Sequence, residues 1–252
     1  PVGDWAAAYD RPVENVNDWA GTIPPHLMDQ CRRGYYAQIT HIDFQIGRLV
    51  GLMRRMDVGP TAFVFTSDHG EMLGDHGLWR KTYAYEGSAR VPMIVTVPGA
   101  EGPTTCKAPA VLEDVYSTVL DIAGIEAPGP VDSNSLVPWC RGETPEWPAW
   151  VHGEHSTCYD EDNAVQFLTD GTWKYVWYPT TGRQQLFNLE RDPDELHDLS
   201  DDADSADELA TWRGRLVEKL AARPEDGLSD GTDLIANGSP PSVRPHLQDP
   251  ES

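Results

Sequence analysis

Helical and strand periodicities alternate along the first half of this chain, and that alternation constrains its fold more than any other feature. From Cys31 to Met56 apolar residues recur at Tyr35, Ile39, Ile42, Ile46, Leu49, Val50 and Met53, the three-and-four spacing of one buried helical face. Gly59-Pro60 ends the pattern. Thr61 to Thr66 then reads TAFVFT, a β-branched and aromatic run short enough to be a buried strand. Val91 to Val97 predicts a second strand, with Pro92 tolerable at a strand start or edge. Helical spacing returns at Val111, Val115, Val119 and Ile122 and stops at Gly124, a residue that accepts the left-handed conformation closing a helix. Strands alternating with helices predict an α/β fold, with a mostly parallel sheet covered on both faces.

Past Pro148 the pattern changes. Trp150 to Gly153, Ala164 to Thr169, Trp173 to Tyr178 and Gln185 to Leu189 are short strand candidates, and Asp170-Gly171 joins the middle two as a hairpin signal. An antiparallel meander is the simplest reading. A helix near Ser205 to Ala222 follows, acidic at its start and carrying Arg213, Arg215, Lys219 and Arg223 toward its end, as the macrodipole favours. Trp173, Tyr175, Trp177 and Tyr178 read as core plus one exposed face, with a sugar-stacking platform as the alternative. From Pro224 the chain is rich in Pro, Gly, Ser and Asp without periodicity, which predicts a disordered or surface-hugging tail. The expected divisions are residues 1–147 for an α/β part, 148–223 for a smaller antiparallel-sheet-plus-helix part, and 224–252 for the tail.

Charge and composition exclude some partners. With 41 Asp+Glu against 19 Lys+Arg the formal charge is −22, whereas phosphate backbones are bound by clustered Lys and Arg, so nucleic acid is not expected as a partner. The apolar runs are of strand length, far short of the roughly 20 residues that span a bilayer, so no membrane segment is expected. Ten acidic residues against Arg191 alone between Glu190 and Glu208 read as a solvated face. The four cysteines, Cys31, Cys106, Cys140 and Cys158, form no C-x-x-C pair and read as free, partly buried thiols. The first residue is Pro1, and no basic segment followed by an apolar stretch precedes the fold, so the chain reads as a fragment. The compartment stays open, with the cytoplasm slightly favoured, and so does the oligomeric state.

The chemistry concentrates in Thr66-Ser-Asp-His-Gly-Glu-Met-Leu-Gly-Asp-His-Gly-Leu-Trp-Arg-Lys81. Ligands of open α/β sheets gather outside the carboxyl ends of strands, and Asp68 and His69 fall immediately past such an end. A carboxylate and an imidazole supply part of the shell of a divalent cation. Gly70, Gly74 and Gly77 let the loop fold back, so that Lys81 can return a positive charge to the same crevice. A metal and a lysine on one side make a cradle for a tetrahedral oxyanion such as sulfate or phosphate.

These residues, together with Tyr35 to Gly47, Arg90-Val-Pro92 and Gln185 to Leu199, resemble in order and interval the formylglycine-dependent (type I) sulfatases of the alkaline phosphatase superfamily. The resemblance implies an alkaline-phosphatase-like α/β fold and hydrolysis of an aryl or carbohydrate sulfate ester. It makes Asp68 and His69 two ligands of one divalent cation, calcium being the expected ion, with His69 standing where other members place Asn. It makes Lys81 a catalytic contact to a sulfate oxygen. His76 then either lines the pocket or holds the loop by an ordinary hydrogen bond, and Arg90 anchors the following strand. His152-Gly-Glu-His155 near the domain junction offers Glu154 and His155 as contacts to the non-sulfate part of the substrate, with local hydrogen bonding between the two parts as the competing reading.

The family's nucleophile is a formylglycine made from Cys or Ser in C-x-P-x-R, and no cysteine or serine here fits that motif. The early acidic metal ligands are absent too, so the chain reads as the C-terminal half of a sulfatase, by itself inactive. In the complete enzyme the resemblance implies attack on sulfur by the hydrated formylglycine, departure of the alcohol with a general acid's help, and collapse of the sulfated hydrate. The expected partner is a small sulfated substrate. The competing readings are a phosphonate monoester or phosphodiester hydrolase of the same superfamily and a non-catalytic domain that retains the fold.

Overall fold

The apolar spacing of the first half produces a long helix, α1, over Pro25–Met56. In the computed structural model, which describes residues 1–15, 17–100 and 102–236, α1 begins with a proline in its first turn, where the missing N–H costs nothing. It ends on Asp57 in left-handed backbone, with Arg54 and Arg55 complementing the dipole. The expectation that one face of this helix is buried is corrected: no residue of α1 is buried, and Ile39, Ile42, Phe44 and Leu49 stand exposed. Nothing among the described residues covers that face.

Strand β1, Phe63–Thr66, pairs with β2, Met93–Thr96. The pairing is antiparallel, with Phe63 opposite Thr96 and Thr66 opposite Met93, which corrects the mostly parallel sheet expected of these strands. The cause lies in the connection. A parallel pair needs a crossover that carries the chain back along the strand, usually on a helix. Residues 67–92 instead fold up beyond the end of β1 and contain only a 3-10 turn at Asp75–Gly77 and a four-residue helix, α2, at Glu86–Ala89, so β2 enters from the end where β1 left.

Helix α3, Asp114–Ala123, closes on Gly124 at φ +66 as its sequence predicts. Its buried face is a different one from the expected apolar stripe: Asp114 and Thr118 are buried, while Val119 and Ile122 are exposed. The Asp114 carboxylate accepts N–H bonds from Val111 and Asn134 at 2.9 and 2.8 Å, and Thr118 Oγ1 accepts from Leu136 at 2.9 Å. Hydrogen bonds therefore dock this helix on the segment leading to the short α4, Val137–Cys140.

The second half is an antiparallel meander, β3 (Val151–His155), β4 (Val165–Thr169), β5 (Trp173–Trp177) and β6 (Gln184–Asn188), in that spatial order. Helix α5, Ala206–Ala221, packs on one face: Leu168, Tyr175 and Leu186 meet Trp212, Leu216 and Leu220. Val165, Val176 and Phe187 on the other face meet Met72, Leu78 and Tyr85 from the first half. The sheet is thus the middle layer of three, and β5 is buried on both faces. Tyr175 and Trp177 of β5, and Tyr178 just after it, lie in the interior, which leaves them as core and not as a stacking platform.

Of the two readings of the tail from Pro224, disordered or surface-hugging, residues 224–236 take the second. Leu228 and Leu234 are buried against α5, Ser229 Oγ donates to the Val217 carbonyl at 3.0 Å, and Asp233 pairs with Arg213. Two leucines in a polar stretch suffice to dock it. The rest of that expectation, 237–252, lies outside the described residues. Cys31, Cys106 and Cys158 are free and exposed, and only Cys140 is half-buried as predicted. No helix among the described residues is long and apolar enough to cross a membrane.

Candidate active site

The chain leaves β1 through Ser67-Asp68-His69, a turn closed by Ser67 Oγ donating to the His69 carbonyl at 2.7 Å. The next residue must be glycine. Gly70 N–H donates to the Ser88 carbonyl at 2.8 Å, and a Cβ on Gly70 would lie 2.1 Å from the Gly87 carbonyl oxygen, so only glycine admits this approach of two backbones. Past it, His69 Nδ1 lies 2.7 Å from the Gly70 carbonyl. A carbonyl only accepts, so Nδ1 carries the proton and the Nε2 lone pair stays free, the tautomer that a metal-ligating histidine with an outer hydrogen bond requires. Asp68 Oδ2 is 3.6 Å from that Nε2, and its side chain is 85% exposed. The two groups therefore offer lone pairs to a common region.

Lys81 comes to the same cleft by a second route. The loop returns past Trp79, whose Nε1 donates to the Gly21 carbonyl at 2.8 Å. Arg80 N–H then donates to Glu71 Oε1 at 2.5 Å, and its carbonyl accepts from Met72 N–H at 2.8 Å. Lys81 follows, half-buried on the wall of a cleft of about 1320 Å³ that Asp68, His69, Thr82, Glu86 and His155 also line. Among the described residues its ammonium has no hydrogen-bond or ion-pair partner. Lys81 thus lines the same cleft as Asp68 and His69.

His76 does not join this wall. It is buried beside Trp5 and Tyr85, with ring centroids at 4.7 and 5.4 Å, and its Nδ1 accepts the Gly3 N–H at 3.0 Å. Burial pushes its pKa down to about 4. Of the two readings of His76, the geometry supports the hydrogen bond that holds the loop. Glu154 lines the cleft, yet both its oxygens are taken by the Arg223 guanidinium at 2.7 Å each, and that bond holds its pKa down at about 2. His152 lies under Gln166 Oε1 at 2.7 Å, and burial lowers its pKa. This fork-to-fork pair fastens the end of α5 to β3 and supports the local-bonding reading. His155 is exposed at the cleft, as Glu154 is, and its Nδ1 lies 2.5 Å from the Ser156 carbonyl. Arg90 is exposed and reaches Glu86 at 3.4 Å, not the adjoining strand.

Two residues that matter to this geometry escaped the sequence reading. Glu71, directly after Gly70, accepts the Arg80 and Leu73 N–H groups with Oε1. Lys174 is fully buried, with its Nζ on Glu86 and Glu195 at 2.7 and 2.8 Å.

Comparisons with known proteins identify the family. Residues 4–125 match the Sulfatase family, and residues 74–222 match the family described as N-sulphoglucosamine sulphohydrolase, C-terminal. An arylsulfatase of Clostridium perfringens is 36% identical over 254 residues, covering 98% of this chain and 52% of the relative. A choline-sulfatase of Rhizobium meliloti is 38% identical over 174 residues, 68% of this chain and 33% of the relative. Among solved structures, the phosphonate monoester hydrolase SpPMH of Silicibacter pomeroyi superposes with a TM-score of 0.65 at 28% identity, over 73% of this chain and 39% of that one. BT4656, solved with its substrate D-glucosamine-2-N,6-O-disulfate, gives 0.64 at 24% identity over 79% and 42%. This chain belongs to the sulfatase family and matches the C-terminal part of its members. It spans about half the length of the arylsulfatase and a third of the choline-sulfatase.

Proposed function

We propose that the full-length protein carrying this chain is a sulfuric ester hydrolase acting on a small aryl or carbohydrate sulfate, and that this chain contributes its C-terminal half. The observation that carries the reading is the unpartnered ammonium of Lys81 on one cleft wall with Asp68 and His69. The printed activities of the relatives, arylsulfatase and choline-sulfatase, support the sulfate ester as substrate class.

In this reading Lys81 binds a sulfuryl oxygen and stabilises the charge that grows there as the S–O bond to the alcohol breaks. Asp68 and His69 fit a divalent cation by donor chemistry, a carboxylate beside an imidazole whose Nδ1–H is already committed. Among the described residues no third His, Cys, Asp or Glu joins them. The remaining ligands and the formylglycine nucleophile are assigned to the portion of the enzyme outside this chain, and calcium is the ion proposed. When bound, such an ion polarises sulfate oxygens as a Lewis acid. His155, exposed at the mouth, is placed beside the leaving alcohol. His76 and Glu154 serve by holding the loop and α5.

A second reading, phosphonate monoester hydrolysis, is favoured by the SpPMH superposition at 28% identity. One comparison separates the two. The full-length protein should show a higher kcat/KM on 4-nitrophenyl sulfate than on 4-nitrophenyl phenylphosphonate. A preference of tenfold or more for the phosphonate would replace the first reading with the second, and turnover of neither would leave a non-catalytic domain.

A further inference from the structure

Both neighbours of Lys81 hold left-handed backbone, Arg80 at φ +69 and Thr82 at φ +82. For a β-branched residue this is an outlier, because its Cβ substituents crowd the backbone there. Thr82 is disfavoured a second time, since its Oγ1 is buried without a hydrogen-bond partner among the described residues. Something must hold it. On one side Arg80 is fixed at both backbone groups, its N–H to Glu71 and its carbonyl to Met72. On the other, Tyr83 N–H donates to Ser88 Oγ at 3.2 Å, and buried Ser88 is itself bonded through its carbonyl to Gly70. These anchors bracket a two-residue span, Lys81-Thr82, and both residues of the span lie on the cleft wall. The same anchors tie that span to Gly70 and Glu71, directly after Asp68 and His69.

Strain that persists because its surroundings enforce it is a feature of functional sites. We propose that Thr82 is a positioning residue for Lys81: its enforced left-handed backbone, clamped through Glu71 and Ser88, keeps the lysine on the cleft wall opposite solvent-exposed alternatives. The inference rests on the reading of Lys81 as the sulfate contact. A residue that merely supports the fold loses stability and activity together when replaced. A strained positioning residue behaves otherwise, since glycine relieves the backbone and frees the direction of Lys81 at once.

The test uses the full-length enzyme with 4-nitrophenyl sulfate and compares Thr82→Gly, Thr82→Ser and Lys81→Ala for kcat, KM and melting temperature. Thr82→Gly should melt no lower than wild type, lose tenfold or more in kcat and keep KM within threefold. Thr82→Ser, which keeps a side chain and so the restricted backbone, should retain at least a third of wild-type kcat. Thr82→Gly at wild-type kcat, a Thr82→Gly variant that melts lower, or a serine variant as impaired as the glycine one overturns the inference. If Lys81→Ala loses activity while Thr82→Gly keeps it, the inference fails alone. If Lys81→Ala keeps wild-type kcat, the reading of Lys81 fails and takes the inference with it.

Discussion

The ammonium of Lys174 lies 2.7 Å from Glu86 Oε1, and this contact bonds the middle sheet to the segment that carries Lys81. Glu195 Oε1 meets the same ammonium at 2.8 Å, and Glu195 Oε2 accepts the Glu86 N–H at 2.7 Å. Two carboxylates thus share one buried cation, and desolvation raises the Glu195 pKa. Burying such a cluster is expensive, but removing its cation is worse, because buried Glu195 is left without a counter-charge and Glu86 keeps only Arg90, 3.4 Å away.

Lys174→Met should therefore cost about 3–5 kcal/mol in urea unfolding, and adding Glu86→Gln and Glu195→Gln should restore part of the loss. A single variant within about 1 kcal/mol of wild type would show that the cluster is not the tie between the two halves.

His76 makes stability depend on pH. Its folded pKa is about 4, below the ordinary 6.5, so between those values the unfolded chain binds a proton that the folded one refuses. The stability linked to this group is fully present above 6.5 and drains away as pH falls toward 4, by about 3 kcal/mol in all. Melting curves across that window should show a slope that His76→Asn flattens. An unchanged slope would mean that the ring titrates freely.

How much of this was legible beforehand depends on what decided each element. Local signals decided α5, the four-strand meander and the Gly124 helix stop, and the sequence expectations match the structure there within a few residues. The exposed stripe of α1 was misjudged because spacing reports an amphipathic face without reporting whether anything in the chain covers it. The antiparallel pairing of β1 with β2 was hidden in the shape of residues 67–92, which no periodicity describes. Motif position placed Asp68, His69, Lys81 and His155 at one cleft. It could not show that Arg223 consumes Glu154 or that His76 turns inward, since both depend on contacts between residues 69 and 73 positions apart.

Glu154→Gln should lower stability by no more than about 1 kcal/mol, as for other partly exposed ion pairs, and should leave kcat/KM on 4-nitrophenyl sulfate within threefold. His155→Ala should also spare this small ester, since it is placed on the leaving-group side. A tenfold fall for the Glu154 variant with unchanged unfolding would make it a substrate contact after all.

The metal reading predicts that full-length protein purified without chelator carries one divalent ion per chain, lost in Asp68→Ala together with nearly all turnover, while Cys31→Ala and Cys140→Ala keep both. Elemental analysis finding two zinc ions per chain would point to a two-metal phosphatase instead.

The most direct measurement is kcat of full-length Lys81→Ala on 4-nitrophenyl sulfate under saturating substrate. If Lys81 binds the sulfuryl oxygen as it gains charge, kcat should fall on the order of 10²-fold or more, the scale on which one preorganised donor acts. A value within about threefold of wild type, a difference of roughly 0.7 kcal/mol, would contradict the placement of the site.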